Sequence, residues 1–188
     1  MRERPGGEGL TPAAVLDFWF GELTHEDWFR GGARVDRMVA DRFAGPAADA
    51  AAGRLDHWAD TADGALALVL LLDQFPRNLH RDSAGAFAQD AKARAVADAA
   101  LARGFDRAVA AARRPFLYLP FEHSEALADQ DRSVALFAAH GDAEMLDYAE
   151  RHRAVIARFG RFPHRNPVLG RTPTAEDTAY LAGRDEPF

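Results

Sequence analysis

The sequence predicts an all-α protein composed of stacked antiparallel helical hairpins. Its apolar residues are mostly Ala and Leu rather than Val and Ile, a composition that favours helices over strands. No segment shows the alternation of apolar and polar residues that is typical of a strand. Residues 91–108 and 133–149 share a pattern of small residues on one helix, a glycine turn and a second helix, and this pattern resembles the spacing of tetratricopeptide hairpins.

The first helices are predicted from their end signals. Thr11 and Pro12 suit the N-cap and the first turn of a helix that ends at Phe20. A second helix is expected over residues 33–43, and Gly45-Pro46 is predicted to stop it.

The segment of residues 65–75 is apolar on nearly every face, which predicts a central, buried helix. Asp73 would then lie near the C-terminal end of that helix, where the backbone dipole disfavours a negative charge. We therefore expect Asp73 to have a cationic partner, and Arg77 or another arginine is the natural candidate.

The second half of the chain predicts further hairpins. A long Ala-rich helix closes at Gly104, a shorter partner follows it, and residues 115–120 suggest a tight turn. The remaining helices are expected at residues 121–139, 143–159 and, from a capping box of Thr174 and Asp177, up to about residue 182.

Length and composition limit the class of protein. The 188 residues suggest a flexible tail at residues 1–9 and a single helical domain at residues 10–188. There is no cysteine, the net charge is −6, and the longest apolar run is far too short to cross a bilayer. We expect a cytoplasmic protein that binds neither nucleic acid nor membranes. Glycine-rich nucleotide motifs and a serine-hydrolase elbow are absent from the sequence, which argues against nucleotide hydrolysis, dinucleotide binding and serine-hydrolase chemistry. No cofactor is expected.

Two histidines interrupt apolar helix faces. His123 shares a stripe with Leu127 and Gln130 on the helix predicted at 121–139, and His152 lies in the middle of the inward face of the next helix. If the two predicted helices pack antiparallel, His123 would lie close to Glu125, Arg161 and His164 at one end of the hairpin. His152 would lie about one helical turn below them.

Such a cluster would suit two kinds of chemistry. A histidine oriented by a carboxylate can transfer protons, with His123, Glu125 and Asp73 as the catalytic candidates. A pocket of Arg, His and aromatic residues can hold an acidic ligand, and the binding candidates are Gln74, Arg77, Asn78, His152, Arg161, His164, Arg165 and Asn166. The alternative is that the histidines are hydrogen-bonded core residues and each arginine pairs with an acid. No metal site is predicted, because no His-x-x-x-His or His-Glu-x-x-His pair occurs.

Several strings resemble the bacterial domain-of-unknown-function 924 family: Leu16–Gly21, Leu71–Asn78, Ala86–Ala88, His123–Glu125 and Arg158–Asn166. The resemblance covers residues 12–181 and implies a tetratricopeptide-like, right-handed helical superhelix. It implies no activity, but its motifs contain many of the candidate residues. His80 and Glu122 depart from the family pattern, and Glu122 puts an additional charge beside His123.

Three functional hypotheses follow. The first is a binding protein that accepts a small acidic molecule or a peptide in the pocket. The second is an enzyme, with hydrolysis as one option, that uses His123 with Glu125 or Asp73 as an acid/base pair. The third is a polar network that only fixes helix packing, in a protein that acts as a scaffold for a protein partner.

Overall fold

Helices form the regular structure of this computed structural model, which describes residues 10–183. Within that range there is no strand, so the all-α class is confirmed, whereas the tail predicted at residues 1–9 lies outside the described residues. The helices are α1 Pro12–Asp17, α2 His25–Phe29, α3 Ala33–Ala51, α4 Ala62–Val69, α5 Phe75–Leu79, α6 Asp90–Ala102, α7 Phe105–Ala108, α8 Pro115–Glu122, α9 Leu127–His140, α10 Ala143–Phe159 and α11 Ala175–Ala182.

Shorter helical turns join these elements. Two are π-helical, at Phe18–Glu22 and Leu70–Gln74, and four are 3₁₀ turns, at Asp56–Asp60, Ala84–Phe87, Ala111–Arg113 and Pro163–Arg165. None of the helices in the described part of the chain combines the length and the apolar character that crossing a bilayer requires.

The central helix is buried, as its apolar run predicts. Every residue from 64 to 76 is buried, and α4, the π turn and α5 form one helical run. The run continues past Pro76 because the π turn widens the helix before the proline ring, and Phe75 N–H donates to the Leu70 carbonyl five residues earlier. Asp73 therefore lies within this π turn and not at a helix end.

Two predictions based on proline are wrong. Helix α3 continues through Gly45-Pro46. Phe43 before the proline and Ala47 and Ala50 after it are all buried, and they hold the helix against the core. Residues 115–120 form helix α8 rather than a turn, because Pro115 occupies its first turn, where no N–H is needed. Every residue of α8 is buried.

The helix predicted from residue 121 begins only at Leu127. Helix α8 ends at Glu122, and the chain turns before α9 because Ser124 Oγ accepts the N–H of Ala126. Gln130 Nε2 donates to the carbonyls of Glu122 and Ser124, both at 2.6 Å. Gln130 thus stabilises the turn, and His123 does not share a helical stripe with it.

The last part of the described chain forms a helical hairpin and a segment that returns along it. Helices α9 and α10 pack together across Gly141, whose φ of 88° is the left-handed conformation that glycine favours. The predicted capping box of Thr174 and Asp177 is present at the start of α11. Between α10 and α11, residues 160–174 return along the hairpin towards His123.

Candidate functional site

A group of buried and partly buried polar residues lies where the π turn, α8 and the segment 160–174 meet. We call it the polar cluster, and its members are Asp73, Gln74, Arg77, Asp90, Glu122, His123, His152 and Arg165. Its residues come from the π turn, α5, α6, α8 with its C-cap, α10 and the 3₁₀ turn at Pro163–Arg165, so tertiary packing brings them together.

Asp73 and His123 form the centre of the polar cluster. Asp73 is fully buried, and its Oδ1 lies 2.8 Å from His123 Nδ1. Gln74 Nε2 donates to the other carboxylate oxygen. Arg77 donates to the Asp73 backbone carbonyl, and its Nη1 lies 3.3 Å from Oδ1. The cationic partner predicted for Asp73 is therefore Arg77.

These contacts fix the protonation of the pair. Burial opposes ionisation of Asp73, but Arg77, His123 and the hydrogen bonds together outweigh it, so the pKa of Asp73 is lowered. Burial, followed by Arg77, lowers the pKa of His123, which favours a neutral imidazole. An ionised Asp73 can only accept, so Nδ1 of His123 carries the proton and Nε2 is left with its lone pair.

Arg77 and Arg165 converge on one carboxylate. Asp90 lies 3.2 Å from Arg77 Nη2 and 3.6 Å from Arg165 Nη1. Burial raises the pKa of Asp90, against the lowering effect of Arg77. The cluster reaches solvent here, because the side chains of Arg77 and His123 are 24% and 15% exposed.

Arg165 is the most enclosed arginine of the cluster. Its side chain is 8% exposed, and its guanidinium lies 4.5 Å and 4.4 Å from the ring centres of Phe87 and Phe162. Nη1 donates to the His123 carbonyl at 3.0 Å, whereas Nε is buried and has no hydrogen-bond partner within residues 10–183. Burial, together with Arg77, lowers the pKa of Arg165 to about 10.

Glu122 and His152 lie on the other side of His123. Glu122 is only 5% exposed, and its Oε1 is 3.6 Å from His152 Nδ1, which is already 2.8 Å from the Tyr148 carbonyl. Burial and then the charge of Asp73 raise the pKa of Glu122 to about 8. Burial lowers the pKa of His152 to about 3. Both side chains are therefore neutral at pH 7.

The structure places Glu125 outside the cluster. Its carboxylate accepts the N–H of Phe162 at 2.8 Å and two hydrogen bonds from Arg171, at 2.8 and 2.7 Å. Burial opposes ionisation of Glu125, but these donors lower its pKa. Because His123 binds Asp73 and not Glu125, the carboxylate that orients His123 is Asp73. Glu125 instead holds the segment that carries Arg165.

The other predicted residues divide between two further sites. Arg161 and Asn166 both donate to Asp177 at the start of α11. Asn78 donates to Asp36 on α3, which also pairs with Arg81. The ring of His164 packs against Phe162, their centres 5.6 Å apart, and His164 contributes to lowering the pKa of His152. Only His164 of these four adjoins the polar cluster.

Sequence reasoning missed Asp90, Phe87 and the burial of Glu122. Asp90 begins helix α6, and an acid in a first turn has an ordinary role there, so it gave no signal. Phe87 belongs to the string Ala86–Ala88 that was noted without a role. Glu122 was noted as an unusual charge beside His123, and that charge was the available signal.

A surface cleft of about 210 Å³ is lined by residues of α6, α8 and α9. Two ion pairs line it, Arg94–Asp129 at 3.0 Å and Arg132–Asp98 at 2.6 Å, together with Ala91, Ala95 and Phe121. Ala91 follows Asp90 and Phe121 precedes Glu122, so the cleft and the cluster share elements.

The residues available limit the chemistry. No group of three or more His, Asp or Glu side chains among residues 10–183 is arranged to hold a metal ion. The arrangement provides a neutral imidazole oriented by a carboxylate, two arginines and a protonated carboxylic acid. These groups can bind an anion and can exchange protons.

The described residues form an all-helical protein with a His–Asp–Arg cluster. Comparisons with known proteins give its family. Residues 15–185 match the family described as a bacterial protein of unknown function, DUF924, and the chain belongs to this family. Its structure is similar to that of the protein of unknown function ATU0120 from Agrobacterium tumefaciens, with a TM-score of 0.87. The two are 45% identical, and the match covers 90% of this chain and 96% of that one. No curated protein matches significantly.

Proposed function

We propose that the protein binds a small acidic molecule, or the carboxylate of a peptide, at the polar cluster. The observation that carries this proposal is Arg165, which is buried between two aromatic rings without a full set of acceptors. A buried guanidinium has lost its hydrogen bonds to water, and where it lacks protein acceptors this desolvation is not compensated, which destabilises the fold. A ligand carboxylate would supply the missing acceptors.

The neighbours of Arg165 support the same ligand chemistry. Asp90 is the nearest carboxylate, but at 3.6 Å it is beyond a good hydrogen bond. Arg77 Nη2 donates to both oxygens of the same carboxylate, at 3.2 and 3.4 Å, so two guanidinium groups share one anion. A ligand carboxylate would complete the contacts of both arginines, and Phe87 and Phe162 would form the walls around it.

A thermal-shift titration tests the proposal. The probes are acetate, succinate, glutarate and citrate, with the peptide Ala-Ala-Ala compared to its C-terminal amide. Binding to the native state raises the midpoint, by the amount that mass action sets. We expect a saturable shift that is absent in Arg165→Gln and retained in the control Arg153→Gln, which breaks only an exposed ion pair with Asp131. A shift that persists in Arg165→Gln would place the ligand elsewhere.

The second candidate is an enzyme, and the Asp73–His123 contact favours it. The lone pair of Nε2 is the group that would accept a proton from a bound substrate or water, as in a hydrolytic reaction. His123→Gln would then abolish turnover of the bound acid while its binding remained. Equal turnover in the variant would exclude this mechanism.

The wider setting of the proposal comes from the fold and the composition. We expect the helical hairpins to form a tetratricopeptide-like, right-handed superhelix in a cytoplasmic protein. If no probe shifts the midpoint and His123→Ala is strongly destabilised, the cluster holds the helices together, and the partner to look for is another protein.

A further inference from the structure

Glu122 is a buried acid without a cationic partner. Of the three buried carboxylates among residues 10–183, Asp73 pairs with Arg77 and Asp177 pairs with Arg161, whereas Glu122 faces only His152. The proton on His152 Nδ1 points to the Tyr148 carbonyl, which is 0.8 Å nearer than the Glu122 oxygen. Within that range, the 3.6 Å contact of the Glu122 carboxyl with His152 is too long for a good hydrogen bond.

Arg165 is the complementary case, a buried cation whose ion pair with Asp90 is long, at 3.6 Å, and whose Nε has no hydrogen-bond partner among residues 10–183. Its Nη1 binds the carbonyl of His123, the residue directly after Glu122, so both groups are attached to one peptide segment. Nevertheless no ion pair joins Glu122 to Arg165. One ligand that carries both charges would therefore satisfy two incomplete groups that belong to the same part of the polar cluster.

We infer that the ligand is an amino acid, whose carboxylate binds Arg165 and Arg77 and whose ammonium group binds Glu122. This inference rests on the proposed function and adds a group that binds the ligand's positive charge to the arginines that bind its negative charge. One small zwitterion satisfies both incomplete groups, whereas a simple acid would leave the Glu122 carboxyl without a partner.

The surroundings of Glu122 favour its protonated form unless a cation binds beside it. Asp73 from the π turn repels its charge, and His152 from α10 is neutral, so the empty site favours the protonated acid. The other charged groups around the segment are Arg77, Asp90 and Arg165, which pair among themselves or with Asp73. An ammonium group is therefore the missing charge that would stabilise the ionised form.

Matched ligand pairs test the inference. Glycine, β-alanine, 4-aminobutanoate and L-glutamate are each compared with the acid that lacks the amino group: acetate, propanoate, butanoate and glutarate. Thermal-shift titrations give the dissociation constants for wild type, Glu122→Gln and the exposed control Glu150→Gln. An amide is the closest neutral match to a protonated carboxyl, so Glu122→Gln should fold as well as wild type.

We expect at least one amino acid to bind wild type and Glu150→Gln about tenfold or more tightly than its matched acid, and Glu122→Gln to lose that preference. If the plain acids bind as tightly as the amino acids, the inference is wrong while the anion site stands. If the preference persists in Glu122→Gln, Glu122 is not the ammonium site. If neither series shifts the midpoint, the inference is wrong, and if succinate, citrate and the Ala-Ala-Ala peptide fail to shift it too, the proposed function fails as well. The wild-type comparison is decisive even if a variant does not fold.

Discussion

Asp73→Asn is the sharpest test of the electrostatics in the polar cluster. The substitution keeps the size of the side chain and removes its charge, while three partners stay in place: His123, Gln74 and Arg77. If the oxygen of the new side-chain amide accepts the hydrogen bond from His123, the NH₂ group of that amide faces Nε2 of Gln74, and both are donors. The Gln74 amide must then rotate by about 180° to present its oxygen. Arg77 loses one of its two anions and keeps Asp90.

The expected loss follows from these contacts. Breaking a buried ion pair costs about 3–5 kcal/mol. We expect the lower end, about 3 kcal/mol, because Arg77 retains Asp90 and reaches solvent. For a chain of this length that loss lowers the melting temperature by about 6–12 °C. Urea unfolding at pH 7 measures the change directly.

The effect also has a defined pH dependence. The pKa of Asp73 is lower in the native state than the ordinary 3.8, so the carboxylate stabilises the fold above that pH. The stabilisation is lost as the pH falls through the native pKa, and the gap between Asp73→Asn and wild type should narrow in acid. The control is Asp131→Asn, whose ion pair with Arg153 is exposed and is worth about 1 kcal/mol at most. If Asp73→Asn and Asp131→Asn lost equal stability, the reasoning would be refuted.

Three other substitutions test separate parts of the structure. The stability of Glu122→Gln relative to wild type should increase as the pH rises from about 5 to about 8. Native Glu122, with a pKa of about 8, keeps a proton that the unfolded chain releases above about 4.5, so wild type alone loses stability over this range. Equal differences in urea midpoint at the two ends of this range would contradict this. Glu125→Gln should lose about 1–2 kcal/mol and speed amide hydrogen exchange across residues 160–174, because Arg171 and the Phe162 N–H lose a charged acceptor; unchanged exchange would argue against that anchoring role. Gln130→Leu should lose about 2 kcal/mol in thermal unfolding by leaving two carbonyls at the α8–α9 turn without a donor, and a loss below about 0.5 kcal/mol would show that the turn does not need it.

Apolar patterning predicted the buried elements well. The run of residues 65–75 indicated the central helix, and the structure buries all of it. The capping box of Thr174 and Asp177 and the glycine turn at Gly141 were also read correctly. These signals are local, since each depends on residues within one or two helical turns.

Proline signals were less reliable, because tertiary packing decides whether a helix continues past a proline. Pro46 lies inside α3 and Pro120 inside α8, where buried neighbours on either side hold the helix together. Pro76 is accommodated by the π turn before it. The sequence shows the proline and not the packing that offsets it.

The candidate site was located by residue type and not by pairing. His123, Asp73, Arg77, His152 and Arg165 were all candidates, and all lie in the polar cluster. The local pair of Asp73 and Arg77 was predicted, but the partner of His123 could not be, because its contact with Asp73 spans 50 residues of chain. The early start assumed for α9 also placed His123 on the wrong face, which made Glu125 look like its partner.

Proton-detected NMR of the Arg165 Nε–H group tests the central claim most directly. The protein is labelled with ¹⁵N-arginine, and the signal is assigned by its absence in Arg165→Gln. The probe is the carboxylate or amino acid that shifts the melting temperature most. If the ligand carboxylate binds Arg165, this signal moves saturably with the dissociation constant from the thermal titration, while that of exposed Arg153 stays in place. A ligand that stabilises the protein and leaves the Arg165 signal unmoved would contradict the proposed site.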